Sequence, residues 1–215
     1  MHNKRPHNVQ HLSAGARDSV LIASYFAVRK RSEAARVIKK GLSNSRLTEP
    51  MLSELFLHLS LLLGFPTMLD GFAMLRSATG KSDSTRFVTL SNKQLRNRGK
   101  RALKIVYGHA LDRLLANLKS LHTQVPDLII RDVYGRIIAR PGLALRDREI
   151  INVAVLTIQG LDQQLYSHIR GALRLRVSAS AVRTTILLAS KAAGVNPASA
   201  LSMVSSLKNP KTWRS

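Results

Sequence analysis

Apolar residues in this chain recur at helical rather than strand spacing. Leu52, Phe56, Leu59 and Leu63 stand three or four residues apart, and so do Val182, Ile186, Ala189 and Ala193. Each run follows a hydroxyl residue placed to cap a first turn, Thr48 or Ser178, and each closes on a glycine, Gly64 or Gly194. The register extends in both directions. Upstream, Lys40-Gly41 falls where Arg170-Gly171 falls; downstream come the proline restarts Phe65-Pro66 and Asn196-Pro197, with Asn196 expected as an N-cap and Pro197 as the first helical residue. The chain therefore reads as an internal repeat of helices. Leu111, Leu114, Leu118 and Leu121 mark a further amphipathic helix, and Ile130, Val133, Tyr134 and Ile137 another, with Pro126 between them. Ile150 to Ile158 is interrupted only by Asn152 and Thr157; its length alone would allow a strand, but the repeat register and the helical runs on both sides favour a buried central helix.

These patterns divide the chain into a basic arm (1–16), a diverged first repeat (17–76), a polar linker (77–95), a second unit (96–206) and a basic tail (207–215). The expected fold is all-α, with the two tandem repeats packed as one body between basic extensions. Apolar residues at 45% can fill such a core, and aromatics at only 5% suit packed helices better than a sandwich or barrel. The longest apolar stretch, Leu55 to Phe65, is too short to span a bilayer and contains His58, so no membrane partner is expected. No signal-peptide pattern opens the chain. A cytoplasmic location is expected, with the mitochondrial matrix as the alternative, because the first 40 residues are poor in acid.

Charge changes the picture. With 34 Lys and Arg against 12 Asp and Glu, the net charge is +22, an excess that repels itself unless anions neutralise it. The basic residues gather in three places: Lys4 and Arg5 in the arm; Lys93, Arg96, Arg98, Lys100, Arg101 and Lys104 in a stretch without acid; and Lys208, Lys211 and Arg214 in the tail. Phosphate contacts from such residues need no sequence motif. The expected partners are accordingly RNA, foremost ribosomal RNA, and ribosomal proteins, with Trp213 placed where an exposed indole could stack on a base. His2, His7 and His11 lack a third ligand nearby, so no metal site is expected. The absence of cysteine excludes disulfides, thiolate metal sites and thiol catalysis.

The segment from Tyr134 to Leu143, followed by Arg146-Asp147-Arg148-Glu149, resembles the start of the central helix in carboxymuconolactone decarboxylase-like proteins of the alkyl hydroperoxidase D-like superfamily. His168 to Leu173 resembles that family's following helix, and the part from about Ser19 to Leu75 resembles the last helices of a second unit. The redox relatives use a Glu, a Cys-x-x-Cys pair and a His. The resemblance places Glu149 and His168 at the Glu and His, and Leu161 and Gln164 at the two cysteines, so thiol peroxidase chemistry is closed. The decarboxylase relatives need neither cysteine nor cofactor, and the resemblance makes His168 and Glu149 the candidate catalytic pair for proton transfer. Two readings thus stand, the first leading and the second its alternative. One is a non-catalytic RNA-binding component of a ribosome or other ribonucleoprotein, in which the pair is vestigial. The other is a cofactor-free lyase working as a homo-oligomer.

Overall fold

The computed structural model describes residues 11–80 and 89–207, and every regular element among them is helical. The all-α expectation is borne out. Helices α1 (Ala14–Ala27), α2 (Arg31–Ser43) and α3 (Glu49–Thr79) form the N-terminal run. Helices α4 (Asn92–Tyr107), α5 (Leu111–Leu121) and α6 (Val125–Leu128) lead into a π-helix, Ile129–Ile138. Helices α7 (Leu145–Gln159), α8 (Asp162–Arg174), α9 (Ala179–Ala193) and α10 (Ala198–Ser206) complete the chain.

The two outer runs match at their turns. Positive φ occurs at Arg29 and Gly160, and at Ser45 and Arg176, each pair 131 residues apart, and at Gly64 and Gly194, 130 apart. Arg176 adopts the left-handed conformation (φ 63°) despite its side chain, ending α8 where a glycine would be easiest. Thr48 and Ser178 cap α3 and α9 as their spacing predicted, accepting from the amides of Met51 and Ala181. At the last restart the helix begins one residue later than expected. α10 starts at Ala198, whose amide donates to Asn196 Oδ1, because Pro197 has no N–H to offer. Some boundaries also shift. α1 begins within the stretch read as a basic arm, α3 runs on to Thr79, and Ser91 starts α4 with a capping box closed by Gln94.

α7 is buried on nearly every side, as a helix without a polar face must be. One side, with Ile150, Val153 and Ala154, joins Val20 of α1, Leu165 and Ile169 of α8 and Ile186 of α9. The other, with Ile151 and Val155, meets Ile22 and Phe26 of α1 and Leu52, Phe56 and Leu59 of α3. α3 is long and apolar enough by length and composition to cross a membrane. Gly64 (φ 81°) breaks it, however, and its first arm points Leu52, Glu54, Phe56 and His58 into the core.

The basic stretch belongs to α4, and its other face is core. Leu95, Gly99, Ala102, Leu103 and Val106 are buried, largely against the π-helix. The two helices cross on glycines: a Cβ at Gly99 would lie 1.8 Å from the Ile130 carbonyl oxygen, and one at Gly135 would lie 2.3 Å from that of Leu95. A methyl group at either position must push the backbones apart. Gly99→Ala is expected to destabilise the protein by about 1–3 kcal/mol, and Ile186→Ala, which empties a fully buried site, by about 2–5 kcal/mol. Urea unfolding measures both, and an unchanged midpoint for Gly99→Ala would contradict the close crossing.

Candidate functional site

Burying an arginine completely requires partners for its charge and its donors. Arg148, on the first turns of α7, is 0% exposed. Its Nη2 donates to Glu54 Oε2 of α3 (2.8 Å) and to the Arg140 carbonyl (3.3 Å), and its Nε donates to the Leu143 carbonyl (3.2 Å). Glu54 also accepts from Arg140 Nε at 2.8 Å. This cluster fastens α3, the 139–144 loop and α7 together, and so fixes the rotation of α7 at the next residue, Glu149.

Glu149 is also 0% exposed, and it faces α8. His168 Nδ1 lies 2.8 Å from Glu149 Oε2, the pairing the sequence anticipated. The approach depends on Gly171, one turn beyond His168, where a Cβ would stand 2.8 Å from Glu149 Oε2. Asn152, one turn along α7, donates from Nδ2 to Glu149 Oε1 at 3.3 Å, with the same atom 3.1 Å from His168 Nδ1. Its Oδ1 lies 2.8 Å from Nε2 of His58 on α3. A continuous buried polar chain thus runs His58–Asn152–Glu149–His168. Its outer end is the His168 side chain, 20% exposed, whose Nε2 is left to exchange a proton once Nδ1 is engaged.

Electrostatics separates the two histidines. Burial, reinforced by the Arg148 charge, pushes His58 down to about 3, so it is neutral at physiological pH. Tyr107 and Tyr134, whose hydroxyls are 3.3 Å apart, are both raised, chiefly by burial and further by neighbouring groups that include Glu149. Both stay protonated.

A cleft of about 490 Å³ opens beside this chain, between α8 and the α4–α5 segment; Ser167 and Gly171 of α8 line it, while His168 and Glu149 lie behind its wall. Tyr107 and Gly171 form the wall toward Glu149, while Arg113, Arg170 and Arg174 supply positive charge. The sequence reading passed over these arginines. Their signal was the i, i+4 spacing of Arg170 and Arg174, which puts both on one face of the helix that carries His168.

The sequence-predicted nucleic-acid residues are not gathered into one patch by the described structure. Lys93, Lys100, Arg101 and Lys104 are exposed on α4. Arg96 and Arg98 are occupied internally. Arg96 makes a two-pronged pair with Asp127 (2.6 and 3.0 Å), and Arg98 Nε donates to the Gly135 carbonyl at 2.7 Å. Lys4, Arg5, Lys208, Lys211 and Arg214, with His2, His7 and Trp213, lie outside the described residues. His11 is exposed, and no cluster fit for a metal occurs among the described residues. Leu161 and Gln164, at the cysteine positions of the redox relatives, are exposed at the start of α8.

Residues 129–204 match the model of the carboxymuconolactone decarboxylase family. The 4-carboxymuconolactone decarboxylase of Acinetobacter baylyi (strain ATCC 33305 / BD413 / ADP1) is 31% identical over 93 residues, covering 43% of this chain and 69% of that protein. The family match contains Glu149, Asn152, His168, Arg170 and Arg174, and leaves out Glu54 and His58.

The lowered His58 gives the fold a specific pH dependence. The unfolded chain takes up a proton there as pH falls below about 6.5, and the folded protein refuses it until about 3. Stability is therefore lost on acidification through that window, by about 1.4 kcal/mol per unit at most. Thermal melts between pH 7 and 5 should fall more steeply for the wild type than for His58→Leu, and parallel slopes would show that His58 titrates normally.

Proposed function

This chain belongs to the carboxymuconolactone decarboxylase family, and on that premise we propose that it is a cofactor-free lyase acting on a small carboxylate, most simply a carboxylactone. The observation that carries the reading is the 2.8 Å contact between His168 Nδ1 and a fully buried Glu149, beside a cleft furnished with three arginines. In this scheme Arg113, Arg170 and Arg174 draw the substrate's carboxylates into the cleft, since guanidinium groups match carboxylate geometry. When the carbon–carbon bond to the departing carboxylate breaks, CO2 leaves and the electron pair stays on the substrate, spread into its unsaturated system. His168 Nε2 delivers a proton to that carbon and recovers one from water. Glu149 holds the ring in the Nδ1–H tautomer and stabilises it while charged. Tyr107 contributes a protonated phenol to the same wall.

His168→Ala should lower kcat/KM for 4-carboxymuconolactone by about 10²–10⁴-fold, the usual contribution of a positioned acid or base, in a protein that stays helical by circular dichroism but melts lower, because buried Glu149 loses a partner. Turnover that survives the substitution would remove His168 from the chemistry. No turnover of any carboxylactone by the wild type would remove the reaction.

The charge supports a second reading, RNA binding within a ribosome or other ribonucleoprotein, in which the helical body carries phosphate contacts. A net +22 far exceeds what three cleft arginines require, and Lys93, Lys100, Arg101 and Lys104 are exposed along one helix. With Arg96 and Arg98 held by protein partners, Lys100 and Arg101 are the informative pair. If both contact phosphate, Lys100→Gln with Arg101→Gln should flatten the log–log salt dependence on single-stranded RNA by about 1.4, at about 0.7 per contact. Wild-type protein that ignores RNA at low salt would end this reading.

A further inference from the structure

The polar chain behind His168 begins outside the family match, on a residue of the N-terminal run. We infer that His58 is a positioning residue for the acid–base pair: it locks the Asn152 amide so that Glu149, and through it the His168 ring, is held in one orientation. This rests on the reading of Glu149 and His168 as that pair.

The hydrogen-bond polarity can be followed atom by atom. Glu149 receives His168 at Oε2 and Asn152 at Oε1. A carboxylate oxygen only accepts, so the NH2 end of Asn152 must face it. The carbonyl end then faces His58, and the ring nitrogen 2.8 Å away must carry the proton. His58 is thereby fixed as the Nε2–H tautomer, which its depressed affinity for a second proton permits. Nδ1 is left as a bare acceptor, and it is one of the buried side-chain atoms with no hydrogen-bond partner among the described residues.

That orphan nitrogen is the telling feature. Its neighbours along the helix are Leu55, Leu57, Leu59 and Leu62, and a leucine at position 58 would remove the orphan nitrogen only by stranding the buried Asn152 carbonyl, which accepts from His58. Reversal of the Asn152 amide would set its carbonyl against the Glu149 carboxylate, oxygen to oxygen. His58 opposes that reversal from the far side: to meet the NH2 end its proton would have to move to Nδ1, which would leave a buried N–H without an acceptor. Arg148 of α7 and His168 of α8 are the other cationic or titratable groups felt at His58, and both disfavour its charging. Burial does most to keep His58 neutral and Arg148 adds to it, while pairing with Glu54, one turn before His58 on α3.

Two near-isosteric variants separate this role from space filling. The amide nitrogen of Gln reaches the place of Nε2, and that of Asn reaches only the place of Nδ1. His58→Gln should retain wild-type kcat. His58→Asn and His58→Leu should lose about 10- to 100-fold in kcat, as expected for misplacement of a catalytic group by an ångström or less, with KM little changed. His58→Leu should melt below the wild type near neutral pH, because the buried Asn152 carbonyl loses its donor. A second readout needs no turnover. The 15N shifts of the His168 ring should report mainly the Nδ1–H tautomer in the wild type and His58→Gln, and a mixture in His58→Asn and His58→Leu. Identical His168 ring shifts in all four proteins would overturn the inference, and so would equal losses of kcat in His58→Gln and His58→Asn. If His58→Leu fails to fold, the Gln and Asn pair decides. If no carboxylactone is turned over but the tautomer shifts as described, the positioning role stands and the proposed reaction falls.

Discussion

A guanidinium taken wholly out of water can persist only where its charge is matched at once, and this molecule is organised around one such group. Arg148 is matched by Glu54, which lies 94 residues earlier in the chain. Removing either partner would strand the other in a medium that cannot solvate it, a larger penalty than the pair's own net contribution. The adjacent residue, Glu149, is equally buried and turns to the opposite neighbour. Two opposite charges, side by side on α7, thus pin that helix to α3 on one side and to α8 on the other. The N-terminal run is no appendage to the family unit, because it supplies the counter-charge that allows the unit's central helix to be charged at all.

From that pinning the chemistry of the site follows. Glu149 is dry, so its interaction with His168 is little screened, and Gly171 removes the one side chain that would hold the two helices apart. The cleft reaches the same glycine from outside, bringing arginines up to a wall whose other face is a carboxylate. Positive groups that attract an anion and a histidine that can exchange a proton are therefore neighbours on α8. Peroxide chemistry by thiols is absent for a simpler reason, since the chain contains no cysteine. The contact between Glu149 and His168 does not involve Leu161 and Gln164, which are exposed at the start of α8.

Much of the fold could be read from residue spacing alone. The caps at Thr48 and Ser178, the glycines at 64 and 194, and the all-round apolar surface of Ile150 to Ile158 are local signals, and local physics produced them. Glu149 with His168 was accessible through family resemblance. Asn152 and His58 were visible only as polar interruptions in apolar runs, and a sequence does not say that two interruptions 94 residues apart face each other. The stretch from Lys93 to Lys104 holds more than its charge shows. Its charge count hides Leu95, Gly99, Ala102 and Val106 at core spacing, and two of its arginines are spent on Asp127 and a carbonyl. The π-helix against which it packs has no clear sequence mark, since its amphipathic spacing differs little from that of an α-helix.

The interleaving of the two runs also has a meaning in time. Val20 shares its core with Ile150, Ile169, Ile186 and Val204, and α1 packs on both α7 and α9. During synthesis the first three helices emerge with both of their apolar faces lacking the α7 residues that cover them, Ile151 and Val155 on one and Ile150 and Val153 on the other, until the central helix follows. Helical segments waiting in that state are open to mispairing with other nascent chains, and their long-range contacts form late. The protein's most vulnerable period therefore falls on the ribosome itself, and its capacity to reach the native state depends on how quickly translation delivers the central helix.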